Sequence, residues 1–460
     1  SFRLFYAAGS APPEPSPQPV SHTPRSGIAF PSTTDYFSRN LGNHARSPKP
    51  LGVTLLRRDD RSLGGKGVPG LIPRSLRVAL VHDWLTGMRG GEKVLEIFAR
   101  LFPDAPIYTL VHDRGSVSPD IESHRIITSP LQKVPGAIAR YRHFLPVMPW
   151  LIDHLRIEPV DLVLSCSSCV AKSAIAPDGA IHASYILSPM RYIYDRYDDY
   201  FAPHRAGLPT RLAMKSLRHR LQRWDRATSR RADSMVAISS FIAERIRQVY
   251  GRDSSIIFPP VNTDRFRPTH KTPDDYYLMV TALVPYKNVD LAVEAFRSID
   301  RRLVVAGSGP MLSRLSQSAP KNVEFLGWVD DQQILDLVAR CRAFLMPNVE
   351  DFGIAPIEAM AAGRPVIALG QGGVLDTIRD LDRQQQAPSF FNGSPTGLFF
   401  DEPTPRALTD AIRRFEQNEH LFHPREISDW ARGFGEERFQ REILAWIDSI
   451  LGQRSAAAAA

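Results

Sequence analysis

One stretch of the chain decides the fold: Asn348-Val349-Glu350-Asp351-Phe352-Gly353-Ile354-Ala355-Pro356-Ile357-Glu358-Ala359-Met360. The short apolar run before it, residues 343–346, predicts a buried strand. The residues from Ile357 onward predict a helix that ends at Gly363. The stretch is therefore a strand-to-helix turn, with Glu350 in the loop and Glu358 in the first turn of the helix.

Such a turn suits an anion that also carries hydroxyl groups. The free N–H groups and the positive dipole end of the helix favour phosphate, and Gly353 lets the backbone approach a ligand closely. Two carboxylates beside a phosphate site suit sugar hydroxyls, so a nucleotide sugar would satisfy both features. The plain alternative is that Glu350 is a solvated loop residue and Glu358 an ordinary helix-capping carboxylate.

Apolar runs and helical segments alternate along most of the chain. The first run, residues 76–81, is followed by a glycine loop with Gly90 and Gly91 and then by an amphipathic segment. A second series of runs begins near residue 277, after a proline-stiffened connector. This alternation predicts an α/β protein with two Rossmann-like domains that face a cleft, each built on a parallel sheet. Ligands of such sheets bind at the carboxyl ends of the strands.

Composition sets the predicted domain limits. Residues 1–75 are rich in proline and glycine, which predicts a disordered extension. Residues 76–262 predict the first Rossmann-like domain and residues 263–424 the second. Residues 425–455 predict a helical tail that packs back on the first domain.

Bulk properties limit the partners and the compartment. The net charge of +8 is compatible with an acidic ligand and too weak to indicate nucleic acid. The three cysteines form no disulfide framework, and Cys166 with Cys169 predicts two small buried side chains rather than a zinc or redox site. No apolar run reaches the ~18 residues of a membrane span, and the start of the chain lacks a signal-peptide core. We expect a cytoplasmic protein.

Residues 211–231 are strongly basic, and Leu212, Leu217, Leu221 and Trp224 recur among them at roughly helical spacing. The simple interpretation is a surface helix with one core stripe. The alternative is a helix that rests on anionic lipid head groups, which would hold the protein at the inner face of a membrane.

The quoted stretch also resembles the E-x7-E motif of retaining glycosyltransferases, in the form E-D-F-G-I-x-P-x-E-A-M-A-x-G-x-P-V-I of glycosyltransferase family 4, within a mannosyltransferase-like subgroup. The likeness runs from about residue 77 to about residue 450. It implies the GT-B fold, with an acceptor-side first domain and a donor-binding second domain. It also implies transfer of a sugar from a nucleotide donor with retention of configuration and without a metal or other cofactor.

The resemblance assigns roles residue by residue. It places Lys287 on the donor diphosphate, Glu350 beside the sugar and Glu358 on the ribose hydroxyls. The other positions that it assigns are Gly353, Ile354, Gly307 and Gly309 toward the donor, and Gly90, Gly91 and Arg191 toward the acceptor.

Some positions depart from the family pattern. Leu187 stands where a histidine usually precedes Pro-x-Arg-Tyr, and Cys166-Ser167-Ser168 stands where a Ser-Ser-His run is common. Ala282 replaces an arginine of the phosphate clamp. These departures leave open a catalytically inactive, sugar-binding subunit of a glycan assembly complex. The pair Asp380-x-Asp382 superficially resembles a metal-binding motif of the other glycosyltransferase fold and is interpreted as solvated charge.

The expected function is transfer of a hexose, such as mannose from GDP-mannose, to a lipid-linked or surface glycan. Negative charge develops on the leaving diphosphate, where Lys287 and the amides near Gly353 can stabilise it. A nucleotide-sugar epimerase is the alternative within the same fold.

Overall fold

Two parallel β-sheets organise the protein. The computed structural model describes residues 76–195, 197, 201, 207–269, 272–382 and 393–459, which belong to one compact unit. The predicted extension, residues 1–75, lies outside the described residues. The predicted α/β class with two Rossmann-like sheets is confirmed.

The first sheet consists of β1 (Val78–His82), β2 (Ile107–Thr109), β3 (Ile126–Thr128), β4 (Leu162–Ser167), β5 (Ile181–Ile186), β6 (Ser234–Ala237) and β7 (Ser255–Ile256). Within the described ranges its strand order is β3-β2-β1-β4-β5-β6-β7, with every pairing parallel. The edge strand β3 was not predicted from the sequence, because it is short and only half-buried and so lacks a long apolar run.

The second sheet consists of β8 (Tyr276–Val280), β9 (Arg302–Ala306), β10 (Val323–Gly327), β11 (Ala343–Met346), β12 (Val366–Leu369) and β13 (Gly397–Phe400). Its order is β10-β9-β8-β11-β12-β13, again parallel throughout. Asp380 lies against β13, a strand that was not predicted. It is buried and accepts a hydrogen bond from the Phe399 amide at 3.0 Å. The interpretation of Asp380 as solvated charge is therefore wrong.

Helices cover both faces of the sheets, which explains why the strands are apolar on both sides. In the first sheet, Val78 and Leu80 pack with Phe98 on one face, whereas Ala79 and Val81 belong to a separate core on the other. The α-helices are α1 (Gly90–Leu101), α2 (Pro119–Glu122), α3 (Ala137–Arg140), α4 (Met148–Asp153), α5 (Leu208–Thr228), α6 (Ser240–Tyr250), α7 (Val289–Arg297), α8 (Leu312–Ser318), α9 (Asp331–Arg340), α10 (Ile354–Ala361), α11 (Val374–Thr377), α12 (Pro405–Gln417), α13 (Pro424–Arg432) and α14 (Glu436–Ala459).

The two C-terminal helices lie on different halves of the molecule. Helix α13 packs on α10, and Ser428 Oγ donates a hydrogen bond to the Ala361 carbonyl at 2.8 Å. Helix α14 lies on α1, where Phe439 stacks on Phe98 at a centroid distance of 5.9 Å. The prediction that the whole tail packs on the first domain is thus wrong for residues 425–432, which belong with the second sheet.

Helix α5 is the predicted basic segment, and its buried stripe differs from the prediction. Met214 and Leu221 are buried, whereas Leu212 is 60% exposed and so lies off the core stripe. Arg218 is not free for a surface partner, since its guanidinium donates to the carbonyls of Ile193 and Tyr194, each at 2.8 Å. Within the described ranges, no helix is both long and apolar enough to cross a membrane.

Candidate active site

The glutamate loop, residues 347–353, joins β11 to α10. Helix α10 begins at Ile354, because Gly353 caps it with a φ of +95° that favours glycine. The predicted start near Ile357 is therefore three residues late, and Pro356 occupies the third helical position. Glu358 consequently lies in the second turn of the helix and not in the first, as the sequence had predicted.

Lys287 lies next to Glu350 of this loop. The Lys287 ammonium forms an ion pair with Glu350 Oε1, to which Asn348 Nδ2 also donates at 2.8 Å. Burial is the largest single influence on the Glu350 carboxyl and opposes its ionisation. The Lys287 charge and hydrogen bond, the Arg191 charge and the Asn348 hydrogen bond together hold the pKa of Glu350 below its usual value. Asn288, at a φ of +52°, donates to the Pro347 carbonyl at 2.9 Å and so fixes the lysine turn to the loop.

Close backbone packing holds the glutamate loop in place. The Gly373 amide donates to the Glu350 carbonyl at 2.9 Å. A side chain at Gly372 or Gly373 would lie 2.4 Å from a carbonyl oxygen of the loop, so glycine is required at both positions. Phe352 stacks on Phe258 at 5.7 Å and anchors the loop in the linker between the sheets.

Glu358 is buried with one oxygen unused. The residue is 4% exposed, and no group among the described residues forms a hydrogen bond with its Oε2. Burial raises the pKa of Glu358, while the charges of Lys93 and Arg265 act in the opposite direction. A buried carboxyl oxygen without a donor is costly, which marks this position as a binding site for a hydroxyl or amide donor.

Gly307 and Gly309 serve the packing of the second sheet. A side chain at Gly307 would lie 1.8 Å from the Thr281 carbonyl oxygen, and one at Gly309 2.5 Å from that of Leu283. The Leu283 amide donates to the Ser308 carbonyl at 2.9 Å. These glycines therefore hold the segment that leads to Lys287, and their predicted contact with the donor stays a prediction.

Gly90 and Gly91 stand at the start of α1, where the two halves meet. A methyl group added at Gly90 would lie 3.7 Å from Ile354 Cδ1, at the start of α10. At Gly91 it would lie 2.7 Å from Leu187 Cδ1 and 3.2 Å from the His82 ring. The structure thus brings Gly90 and Gly91 close to the start of α10, and Leu187 packs beside Gly91. Their predicted role toward the acceptor stays a prediction.

Arg191 reaches the glutamate loop directly. Its guanidinium forms an ion pair with Asp351, the residue after Glu350. Arg245 Nη1 lies 3.7 Å from the same Asp351 oxygen. The sequence placed Arg191 near the acceptor but did not single out Asp351 or Arg245, although Asp351 lies inside the quoted motif.

Asp83 is another buried residue that the sequence did not single out. It follows β1 and accepts hydrogen bonds from the amides of residues 168–171 at 2.7–2.9 Å. The carboxylate therefore fixes the turn after β4 that holds Cys169. The sequence feature that could have identified Asp83 is its position at the carboxyl end of the first strand.

Comparison with solved structures identifies the fold. The solved structure of HepE from Anabaena in complex with UDP aligns over 83% of this chain and 100% of its own, with a TM-score of 0.55 and 14% identity. At that identity the likeness shows the fold alone, which is the two-sheet GT-B arrangement.

Sequence relatives add a likeness to one family over part of the chain. Residues 260–432 match the family model described as glycosyl transferases group 1. The GDP-mannose-dependent alpha-(1-6)-phosphatidylinositol monomannoside mannosyltransferase of Mycobacterium tuberculosis is 32% identical over 211 residues, or 39% of this chain and 51% of that protein. The alpha-1,3/1,6-mannosyltransferase ALG2 of Kluyveromyces lactis is 23% identical over 82% of this chain and 85% of its own length.

Residues 260–432 thus resemble group 1 glycosyltransferases, and the predicted resemblance is confirmed. The chain spans about half the length of the first curated relatives that it matches.

Proposed function

We propose that the protein is a retaining hexosyltransferase that uses a nucleoside-diphosphate sugar, with mannose from GDP-mannose as the first donor to test. The observation that supports this proposal is the buried Glu358 oxygen, which has no hydrogen-bond partner among the described residues. It lies in the helix that follows the loop of Glu350, and Glu350 is paired with Lys287. The mannosyltransferase names of two relatives favour mannose, and one of those names includes GDP-mannose.

Each proposed role follows from the charge of the group. Lys287 has three N–H donors, of which Glu350 uses one, so the others can bind the donor diphosphate. The amides at the start of α10 add the positive end of the helix dipole. Glu358 accepts hydrogen bonds from the ribose hydroxyls, and Glu350 orients the hexose.

The proposed reaction proceeds on one face of the sugar. The acceptor oxygen forms a bond to the anomeric carbon while the bond from that carbon to the phosphate oxygen breaks. The acceptor proton passes to the leaving phosphate oxygen, so no enzyme nucleophile or metal is needed. Charge builds on the diphosphate, where Lys287 and the α10 amides stabilise it most in the transition state.

The proposed acceptor is a lipid-linked or surface glycan, presented at a membrane to which α5 binds. The exposed basic side chains of α5 include Lys215, Arg220 and Arg223, and Leu212 is exposed on the same helix. Anionic head groups attract such residues, and an exposed leucine adds apolar contact.

A ligand screen followed by turnover tests the proposed function. Thermal shifts are measured with GDP, UDP and ADP and their hexose conjugates, and the Lys287→Ala variant serves as the control for site occupancy. A ligand at about 100 times its Kd adds about 2.7 kcal/mol of stability. Sugar transfer from the stabilising donor supports the proposal. Binding without turnover in any acceptor mixture would instead indicate an inactive sugar-binding subunit.

A further inference from the structure

Asp351 connects the two halves of the molecule at the candidate site. It belongs to the glutamate loop of the second sheet, directly after Glu350. Its carboxylate is paired with Arg191 and lies 3.7 Å from Arg245, and both arginines come from the first half. Its backbone carbonyl also accepts a hydrogen bond from Ser239 Oγ, at the start of α6, at 2.6 Å.

Arg245 is itself held in place by residues of the first half. Arg245 exposes only 9% of its side chain, pairs with Asp195 and donates to Ser188 Oγ at 3.1 Å. It therefore joins α6 to the segment 188–195 that carries Arg191. Arg245 is therefore not free to follow Asp351 if the two halves move apart.

The segment 188–195 is fastened in turn to α5. The Tyr194 hydroxyl donates to Asp225 at 2.9 Å, and Asp225 forms a fully buried ion pair with Lys172. Arg218 holds the neighbouring Ile193 carbonyl at 2.8 Å. Arg191 thus belongs to a segment that is fixed to α5. Its ion pair with Asp351 therefore transmits the position of the first half to the glutamate loop.

We propose that Asp351 is a positioning residue for sugar transfer. By binding Arg191 and Arg245, it sets the distance between the Glu350 loop, which holds the donor sugar, and the acceptor-side segment. Reacting atoms must approach within about 3–3.5 Å, and a misplacement of about 1 Å can cost about 100-fold in rate. This inference rests on the proposed function, and the role proposed for Asp351 requires no contact with the sugar or the nucleotide.

Asp351→Asn tests the proposal, with Asp376→Asn as the matched control. Asp376 also joins the two halves, since it accepts hydrogen bonds from the Ser240 amide at 2.8 Å and its hydroxyl at 2.6 Å, but it lies outside the glutamate loop. We expect Asp351→Asn to lower kcat about 10- to 100-fold with the donor KM within about twofold, because the groups proposed to bind the donor remain. Asp376→Asn should keep kcat within about twofold.

A conservative variant separates positioning from folding. Asp351→Glu keeps the charge and should recover part of the lost kcat, whereas Asp351→Asn should not. A raised donor KM with unchanged kcat, or an equal loss of kcat in Asp376→Asn, would overturn the proposal.

X-ray scattering of the full chain provides a measurement that does not depend on activity. Loss of the ion pair should increase the radius of gyration of Asp351→Asn over that of the wild type. If the wild type turns over no nucleoside-diphosphate sugar, the proposed function fails while scattering still decides the interdomain contact. Equal radii of gyration in Asp351→Asn and the wild type would rule out Asp351 as the connection.

Discussion

The two halves of the candidate site are built by different means. On the second sheet, backbone segments pack directly against each other. A side chain at Gly307 would overlap the Thr281 carbonyl, and a side chain at Gly373 would overlap the Asp351 carbonyl. On the first sheet, the site is reached by long charged side chains, chiefly Arg191 and Arg245. Packed backbone has few torsions that can adjust to a substitution. A charged side chain, in contrast, can be removed by a single substitution. The part of the site on the second sheet is therefore fixed by its backbone, and the part on the first sheet depends on charged side chains.

The largest effect is expected where the backbone packing is broken. Gly307→Ala should lower the free energy of unfolding by about 3 kcal/mol or more, because the new methyl group meets backbone that cannot rotate away. Gly327→Ala is the control, since Gly327 also has a positive φ but nothing within 4 Å of the added carbon, and it should cost only about 1–2 kcal/mol. Urea unfolding measures both, and equal losses would contradict the packing argument.

Removal of the donor-side cation comes next. Lys287→Ala should lower the rate of sugar transfer about 10²–10³-fold, because the developing charge on the diphosphate loses its side-chain partner. Lys321→Ala removes an exposed lysine of the same half and should leave the rate unchanged. Steady-state kinetics with matched melting temperatures check this, and near wild-type turnover would remove Lys287 from the site.

The charges of the first half can be tested at a membrane. The triple variant Lys215→Glu, Arg220→Glu, Arg223→Glu should abolish co-sedimentation with anionic vesicles, because each basic residue near such a surface contributes about 1 kcal/mol. High salt should weaken binding of the wild type, and neutral vesicles should not bind it. Nucleotide binding, measured in parallel, should be unchanged. If the triple variant pellets like the wild type, α5 is an ordinary surface helix and does not bind the membrane.

The interiors of the two sheets should also differ in their response to acid. His182, in the first sheet, bonds Ser165 Oγ at 2.9 Å, and burial lowers its pKa to about 4. Between pH 6.5 and pH 4 the unfolded chain binds a proton that the folded chain does not, so stability is complete above pH 6.5 and falls below it.

The expected loss from this histidine is about 2 kcal/mol between pH 7 and pH 5. His182→Asn should show a weaker pH dependence by that amount in urea unfolding, whatever its stability at pH 7. Parallel curves for the variant and the wild type would show that His182 does not cause the acid sensitivity.

The smallest effect concerns the unpartnered oxygen of the donor half. Glu358→Gln should weaken binding of the nucleoside diphosphate by about 1 kcal/mol, roughly fivefold, because a charge-assisted hydrogen bond is about twice as strong as a neutral one. Calorimetry with GDP or UDP measures the change, while kcat at saturating donor should change less. Unchanged affinity would rule out the proposed contact with ribose.

Short-range patterns in the sequence were sufficient for the parts of the site that lie close together along the chain. The apolar run of β11, the glycine before α10 and the spacing of Glu350 and Glu358 specify a strand, a loop and a helix, because each depends on neighbouring residues alone. The helix start was misjudged by three residues, since a proline is accepted anywhere in the first turn and Gly353 supplies the cap.

The tertiary structure alone decided which distant groups meet. Asp351 lies beside Arg191 and Arg245 because two sheets come together, and no periodicity in the sequence encodes that pairing. The burial of Glu358, and of Asp380 beneath an unpredicted strand, likewise depends on the layers that fold over them. Local sequence determines backbone conformation through short-range sterics and hydrogen bonding, whereas burial and charge pairing follow from contacts between segments far apart in the chain.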